Sequence, residues 1–186
     1  MAYSSGFNPH PRISYAGASP TGAASEAEYL EIGLARIVDP ADVFADLSDA
    51  LPDGLDVMSV VESPGGALAE RLEASHWRVA FTAPVAGCAG AVRAFLAQAS
   101  IPVTRMTKKG VREFDCRAAV LSLAADESGD GLDLVLRHTE PAVRPDDVLA
   151  GLARVAGLEV GQPPLLTRLA QGPWDAEAGQ VGDPLG

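Results

Sequence analysis

From His76 onward the apolar residues of this 186-residue chain change period in a fixed order, and that order limits the fold more than any other feature. Residues 76–81 alternate as a strand, residues 91–99 put Val92, Phe95 and Leu96 on one helical face, and residues 103–107 are extended again. Residues 118–123 and 132–137 flank a turn-rich stretch and read as a hairpin. Arg144-Pro145 then opens a helix with Val148, Leu149, Leu152 and Val155 on one side, Gly157 closes it, and residues 165–169 give a last strand. With 103–107 and the extended piece 111–114 taken into neighbouring sheet positions, residues 76–170 read strand, helix, strand, strand, helix, strand. This is the series of the split βαβ, or ferredoxin-like, fold.

The first third repeats that series in part. Residues 12–16 and 28–34 are extended. Asp39 and Pro40 then cap and start a helix carrying Val43, Phe44, Leu47 and Leu51, Pro52-Asp53-Gly54 stops it, and residues 55–61 are extended. These are the last four elements of the series. The expected class is therefore α+β, with tandem ferredoxin-like antiparallel sheets, helices on one face, and a first copy missing its opening strand and helix. The expected division is an incomplete first domain at 1–63, a linker helix at 64–75, a second domain at 76–171, and a disordered Gly-, Pro- and acid-rich tail at 172–186. Without the two opening elements, apolar surface and an open sheet edge are left for another chain, or for residues before Met1, to cover.

Composition narrows the function classes. Apolar residues make up 47% and aromatics 5%, so the core is aliphatic, and a chain of this length buries about 70% of its unfolded surface. Two cysteines and three scattered histidines lack metal-ligand spacing, so no metal or cofactor is expected, and Cys88 and Cys116 read as core fillers in a reducing compartment. There is no apolar run long enough for a membrane span and no signal-peptide pattern at residues 1–6, so the expectation is a cytoplasmic chain with no membrane partner. Fourteen basic residues against 25 acidic give a net charge of −11, which disfavours nucleic acid except where positive charge is gathered.

Positive charge is gathered at one place. Arg105-Met106-Thr107-Lys108-Lys109-Gly110-Val111-Arg112 holds both lysines of the chain and two arginines without an acid, and reads as a basic turn able to meet phosphate or as a solvated hairpin tip. The second candidate is Tyr3-Ser4-Ser5-Gly6-Phe7-Asn8-Pro9-His10-Pro11-Arg12, where prolines stiffen a loop that carries Asn8, an imidazole at His10 and a guanidinium at Arg12. It reads as an anion site, with His10 its one candidate acid–base residue, or as a stiff surface connection. Glu26, Glu28 and Glu31 lie close together, with Glu28 beside the phenol of Tyr29, and read as an acid–base group or a solvent-facing strand edge. Arg144 and Arg168 read as extensions of an anion site or as partners for the abundant acids. There is no P-loop, nucleophile elbow, His-Glu-x-x-His or cysteine cluster.

The loop from Tyr3 to Ser14, the stretch Ser25-Glu26-Ala27-Glu28-Tyr29-Leu30, and Met106-Thr107-Lys108-Lys109-Gly110 with Phe114-Asp115 resemble the radical-SAM-linked bacterial domain of unknown function. The resemblance covers about residues 2–172, and the alanine-rich, acidic style is similar to actinobacterial members. It implies a chain found beside, or fused to, a cobalamin-binding-type radical SAM protein, with an RNase E/G-type ribonuclease often encoded nearby. Family members begin with a further strand and helix, which implies a shortened start here. The resemblance makes residues 6–12 and 108–110 the signature positions. The first expectation is a non-catalytic accessory protein that binds a radical SAM partner and presents RNA or a phosphorylated substrate through Asn8, His10, Arg12, Arg105, Lys108, Lys109 and Arg112. The alternatives are an RNA-processing or RNA-modifying enzyme using His10 with Lys108 or Arg112, and a purely structural subunit.

Overall fold

Burial alternates along β4 (Ala74–Ala80), with Ser75, Trp77 and Val79 inside and His76, Arg78 and Ala80 half-buried. In the structure, a computed structural model describing residues 1–107 and 110–186, β4 is the middle of a five-stranded sheet. It pairs antiparallel with β8 (Gly131–Arg137) on one side and β9 (Leu165–Gly172) on the other. β7 (Val120–Ala125) lies outside β8, and the two-residue β2 (Ala24–Ser25) runs parallel to β9, giving the order β2-β9-β4-β8-β7. The fold is mixed α+β, with four α-helices and several sheets among the described residues.

Helices α3 (Cys88–Leu96) and α4 (Pro145–Ala156) pack on each other and share one core with this sheet. Phe95 and Leu152, both fully buried, are worth roughly 1.5–3 kcal/mol each in transfer from water. The start of α4 is fixed by a capping box in which the Asp147 carboxylate accepts the Arg144 N–H at 2.8 Å, and Gly157, at φ +65°, ends it. Gly151 lets α4 approach: a Cβ there would lie 2.8 Å from both Cys116 Sγ and a Phe95 ring carbon.

Two segments depart from the expected sheet positions. β5 (Pro102–Thr107) and β6 (Gly110–Asp115) form their own hairpin, packed against α4 through β5, and do not enter the main sheet. Asp115 turns the chain out of β6 by accepting the N–H groups of Ile101 at 2.8 Å and Arg117 at 2.9 Å, and β7 takes the position beside β8. Residues 172–186, expected as a disordered tail, fold back as strands β10 (Trp174–Asp175) and β11 (Gln180–Val181). The Asp175 carboxylate holds the turn through the Glu177 and Ala178 N–H groups, and Arg71 Nη1 donates to the Pro184 carbonyl at 3.0 Å.

Among the first 72 residues, β1 (Ile13–Ala16) pairs antiparallel with β3 (Tyr29–Ile32) as a two-stranded ribbon. Ile13 opposes Ile32 and Tyr15 opposes Leu30, so these four side chains share a face, and Ile13, Tyr15 and Leu30 stay about half exposed. The other face sets Ala16 and Tyr29 against Leu68 and Leu72. The expected linker helix at 64–75 is a single turn, α2 (Leu68–Arg71), anchored by those buried leucines, and Ala74 already belongs to β4. α1 (Pro40–Ala50) has the expected cap, with Asp39 accepting the Ala41 N–H at 2.9 Å, yet buries no residue. The expected strand at 55–61 does not form. A strand is held by the ladder to its neighbour, and these residues have none.

Candidate functional site

The loop before β1 is closed by backbone. An isolated bridge joins Tyr3 to Pro11, the Ser4 N–H donates to the His10 carbonyl at 2.8 Å, and the His10 N–H donates to Ser4 Oγ at 3.0 Å. Arg12 continues the ladder, donating to Ala2 and accepting from Gly33 at 2.7 Å. Gly33 is required by proximity, because a Cβ there would lie 2.9 Å from the Arg12 Cβ. The result is a shallow, open groove of about 500 Å³ where His10, Arg12 and Glu31 meet beside Ser4 and Ile13. His10 and Arg12 are exposed, as is Asn8, and Phe7 stands fully in solvent at the loop tip. The Glu31 carboxylate accepts from Ser63 Oγ at 3.0 Å and from Arg71 Nη2 at 3.5 Å, which leaves the exposed imidazole and guanidinium of His10 and Arg12 as the groove's groups able to bind an anion.

The basic hairpin is divided. Arg105 and Arg112 are cross-strand partners, but Arg105 turns inward: it donates to the Asp147 carboxylate and, at 2.9 Å, to the Ala142 carbonyl, with its guanidinium 4.9 Å from the Phe114 ring centroid. Its charge is used in holding β5 to α4, so of the two hairpin arginines expected to meet phosphate it is the inward one. Burial pushes the Asp147 carboxyl upward, against the pull of the Arg144 N–H and the Arg105 charge. Arg112 is exposed, next to the exposed Met106 and Val111. Lys108 and Lys109 lie outside the described residues. The loop and the hairpin belong to different sheets, β1-β3 and β5-β6.

Sequence reasoning underrated a third cluster, centred on Arg168 of β9. This arginine is 3% exposed, donates through Nε to Ser25 Oγ at 3.2 Å and through Nη1 to the Gly17 carbonyl at 2.5 Å, and pairs through Nη2 with Glu28. Its guanidinium also lies 5.5 Å from the Trp77 ring centroid. The phenol beside Glu28 is that of Tyr15, which donates to its carboxylate, and not that of Tyr29. Burial raises the Glu28 carboxyl, but the bonds from Ser25, Tyr15 and Arg168 outweigh it and hold the group below its ordinary value. The bond to Glu28, then burial, push the Tyr15 hydroxyl up. Alongside, the buried Gln171 donates to the Ala27 carbonyl at 2.7 Å. The available signal was Arg168 at the end of a strand facing Glu28 and Ser25, but a 140-residue separation gives no spacing to read.

No group of three or more His, Cys, Asp or Glu among the described residues is arranged to hold a metal ion, and no described helix is long and apolar enough to cross a membrane. Both cysteines are buried, and burial pushes the Cys116 thiol to about 11.

Residues 1–145 match the model of a family described as an uncharacterized protein conserved in bacteria, DUF2344. The chain belongs to this family. The DUF2344 match takes in the 3–12 loop, Glu28 and the β5–β6 hairpin and ends at Pro145, so Arg168 lies beyond the matched span. Comparison with curated proteins and with solved structures found no match.

Proposed function

We propose that this DUF2344 chain is a non-catalytic accessory protein of the cytoplasm, built as two units of the tandem ferredoxin-like plan divided near residues 64–75. Its first unit, residues 1–63, engages a protein partner, a radical SAM protein by the resemblance described above. The observation that carries this reading is the placing of exposed apolar side chains. Thirteen of the 17 large exposed ones among the described residues, from Met1 to Val61, lie in the first third of the chain. Three of them, Ile13, Tyr15 and Leu30, share one face of the β1–β3 ribbon, and an exposed apolar patch marks an interaction site. Residues 6–12 and the 105–112 turn, with Arg12 and Arg112 exposed, then present RNA or a phosphorylated substrate.

The test is co-purification of the chain with its radical SAM neighbour and with cellular RNA. Both are retained, RNA retention falls steeply between low and high salt, and K108Q with K109Q weakens it without releasing the protein partner. Recovery of neither rejects the reading.

The meeting of His10, Arg12 and Glu31 in one groove favours a second reading, an RNA-directed enzyme with His10 as general acid or base. That reading requires the purified chain alone to turn over RNA and His10→Ala to stop it with the fold intact.

A further inference from the structure

The groove before β1 contains a carboxylate that a simple anion site has no use for. Arg12 makes no side-chain hydrogen bond or ion pair among the described residues, and residues 1–25 include no acid. Glu31 lines the same groove. Its Oε1 accepts both Ser63 Oγ, at 3.0 Å, and Arg71 Nη2, at 3.5 Å, while no described residue donates to Oε2. A carboxylate fixed through one oxygen keeps the other as an oriented acceptor.

The donors are fixed by the loop's own backbone. Ser4 Oγ accepts the His10 N–H, so the hydroxyl keeps its proton to donate. The Gly33 N–H, donating to the Arg12 carbonyl at 2.7 Å, holds Arg12 at the end of the β1–β3 ribbon. Ser4, His10 and Arg12 as donors and Glu31 as acceptor therefore border one space of about 500 Å³, within the range of small-ligand sites. The donors suit a phosphate, but the carboxylate repels a bare polyanion. A ligand that satisfies both carries hydroxyl groups close to its phosphate, and a carboxylate accepting from ribose hydroxyls is a recurring arrangement. Beyond the Ser4–His10 pair, Phe7 stands fully in solvent at the loop tip, an uncovered ring on which a base can stack.

We propose that this groove is a ribonucleotide site. Arg12, His10 and Ser4 take the phosphate, Glu31 Oε2 accepts from the ribose hydroxyls, and Phe7 stacks on the base. Glu31 then selects ribose, because deoxyribose offers it one hydroxyl fewer. A free nucleotide and a nucleotide within an RNA strand share this chemistry.

This inference rests on the reading of residues 6–12 as a surface for RNA or a phosphorylated substrate, and amide shifts of the isotope-labelled chain separate the two. The chain is titrated with adenosine monophosphate, its deoxyribose analogue, ribose phosphate and a single-stranded hexaribonucleotide. Adenosine monophosphate should shift amides at residues 4–14 and 31–33, and bind about fivefold more tightly than the deoxyribose analogue and than ribose phosphate. Glu31→Gln keeps an oxygen for Ser63 and Arg71 but puts an amide N–H donor at the free position, and should bring the two nucleotides within about twofold of each other while the urea midpoint holds. Phe7→Ser should remove the advantage over ribose phosphate, and Arg12→Gln should weaken all four ligands by about tenfold. A hexamer bound about tenfold more tightly than the mononucleotide supports the site as one for RNA, and equal binding supports it as one for a free nucleotide. Equal affinity for the ribose and deoxyribose nucleotides in the unsubstituted chain overturns the proposal and leaves the phosphate surface standing. Hexamer shifts confined to β5 and β6 overturn the groove site and leave RNA presentation by the hairpin. Binding of none of the four overturns both, with the protein partner then judged by co-purification alone.

Discussion

Arg168 shows what one side chain contributes when it is almost fully buried yet fully bonded. It joins β9 to Ser25, Gly17 and Glu28, and so ties the residues on either side of β2 to the main sheet. Breaking such a pair leaves polar groups unmatched, at a cost of about 3–5 kcal/mol when burial is complete. The Glu28 side chain keeps 31% of its exposure, so Arg168→Met is expected to lose about 2 kcal/mol in urea unfolding, with solvent screening part of the orphaned charge. A pH dependence follows from the same cluster. Glu28, Asp115 and Asp126 all sit below their ordinary values when folded. Their contribution is complete above the ordinary carboxylate range and is lost as pH falls through the folded values. Asp147, pushed up by burial, works in the opposite sense. The part of the stability carried by Glu28, Asp115 and Asp126 should therefore fall on acidification below about pH 4.5, the top of the ordinary carboxylate range. Glu28→Gln should flatten that fall, as read from urea midpoints at successive pH values.

At the scale of elements, α1 and α4 are a natural contrast. Both begin with proline behind a capping residue and both are amphipathic, yet only α4 has a neighbouring helix and a sheet against which to bury its apolar side. Local signals define a helix; burial needs a counterpart. The contact of α4 with α3 and the Cys116 turn is close enough that Gly151→Ala is expected to destabilise by about 1–2 kcal/mol, although alanine is the better helix former by about 1 kcal/mol. Thermal unfolding measures it. Two cations tie the β5–β6 hairpin to α4, Arg105 at Asp147 and Arg154 at the Pro102 carbonyl, and Arg105→Ala, which leaves the buried Asp147 with only its backbone donor, is expected to lower the unfolding midpoint more than Arg112→Ala, whose side chain is exposed.

Across the whole molecule, stability is unevenly distributed. The buried residues of the large core cluster all lie between 77 and 166, with Ala23 packed against them, and the second cluster has three buried residues, Ala16, Leu68 and Leu72. Cleavage at low protease concentration should therefore begin between residues 33 and 67, around α1, and leave a resistant fragment containing β4 to β11; peptide mapping of a brief digest checks this. Binding of a partner to the exposed apolar side chains of residues 1–61 should slow the same cuts and raise the unfolding temperature as partner concentration rises.

The sequence determined the elements from β4 to β9, because apolar period, proline at helix starts and glycine at turns are local instructions. Tertiary structure alone decided that Arg105 faces Asp147, that Tyr15 rather than Tyr29 holds Glu28, and that residues 172–186 fold back on Arg71. Each of those outcomes joins groups far apart in the chain, where sequence spacing carries no geometric information and only the packed sheet brings donor and acceptor within bonding distance.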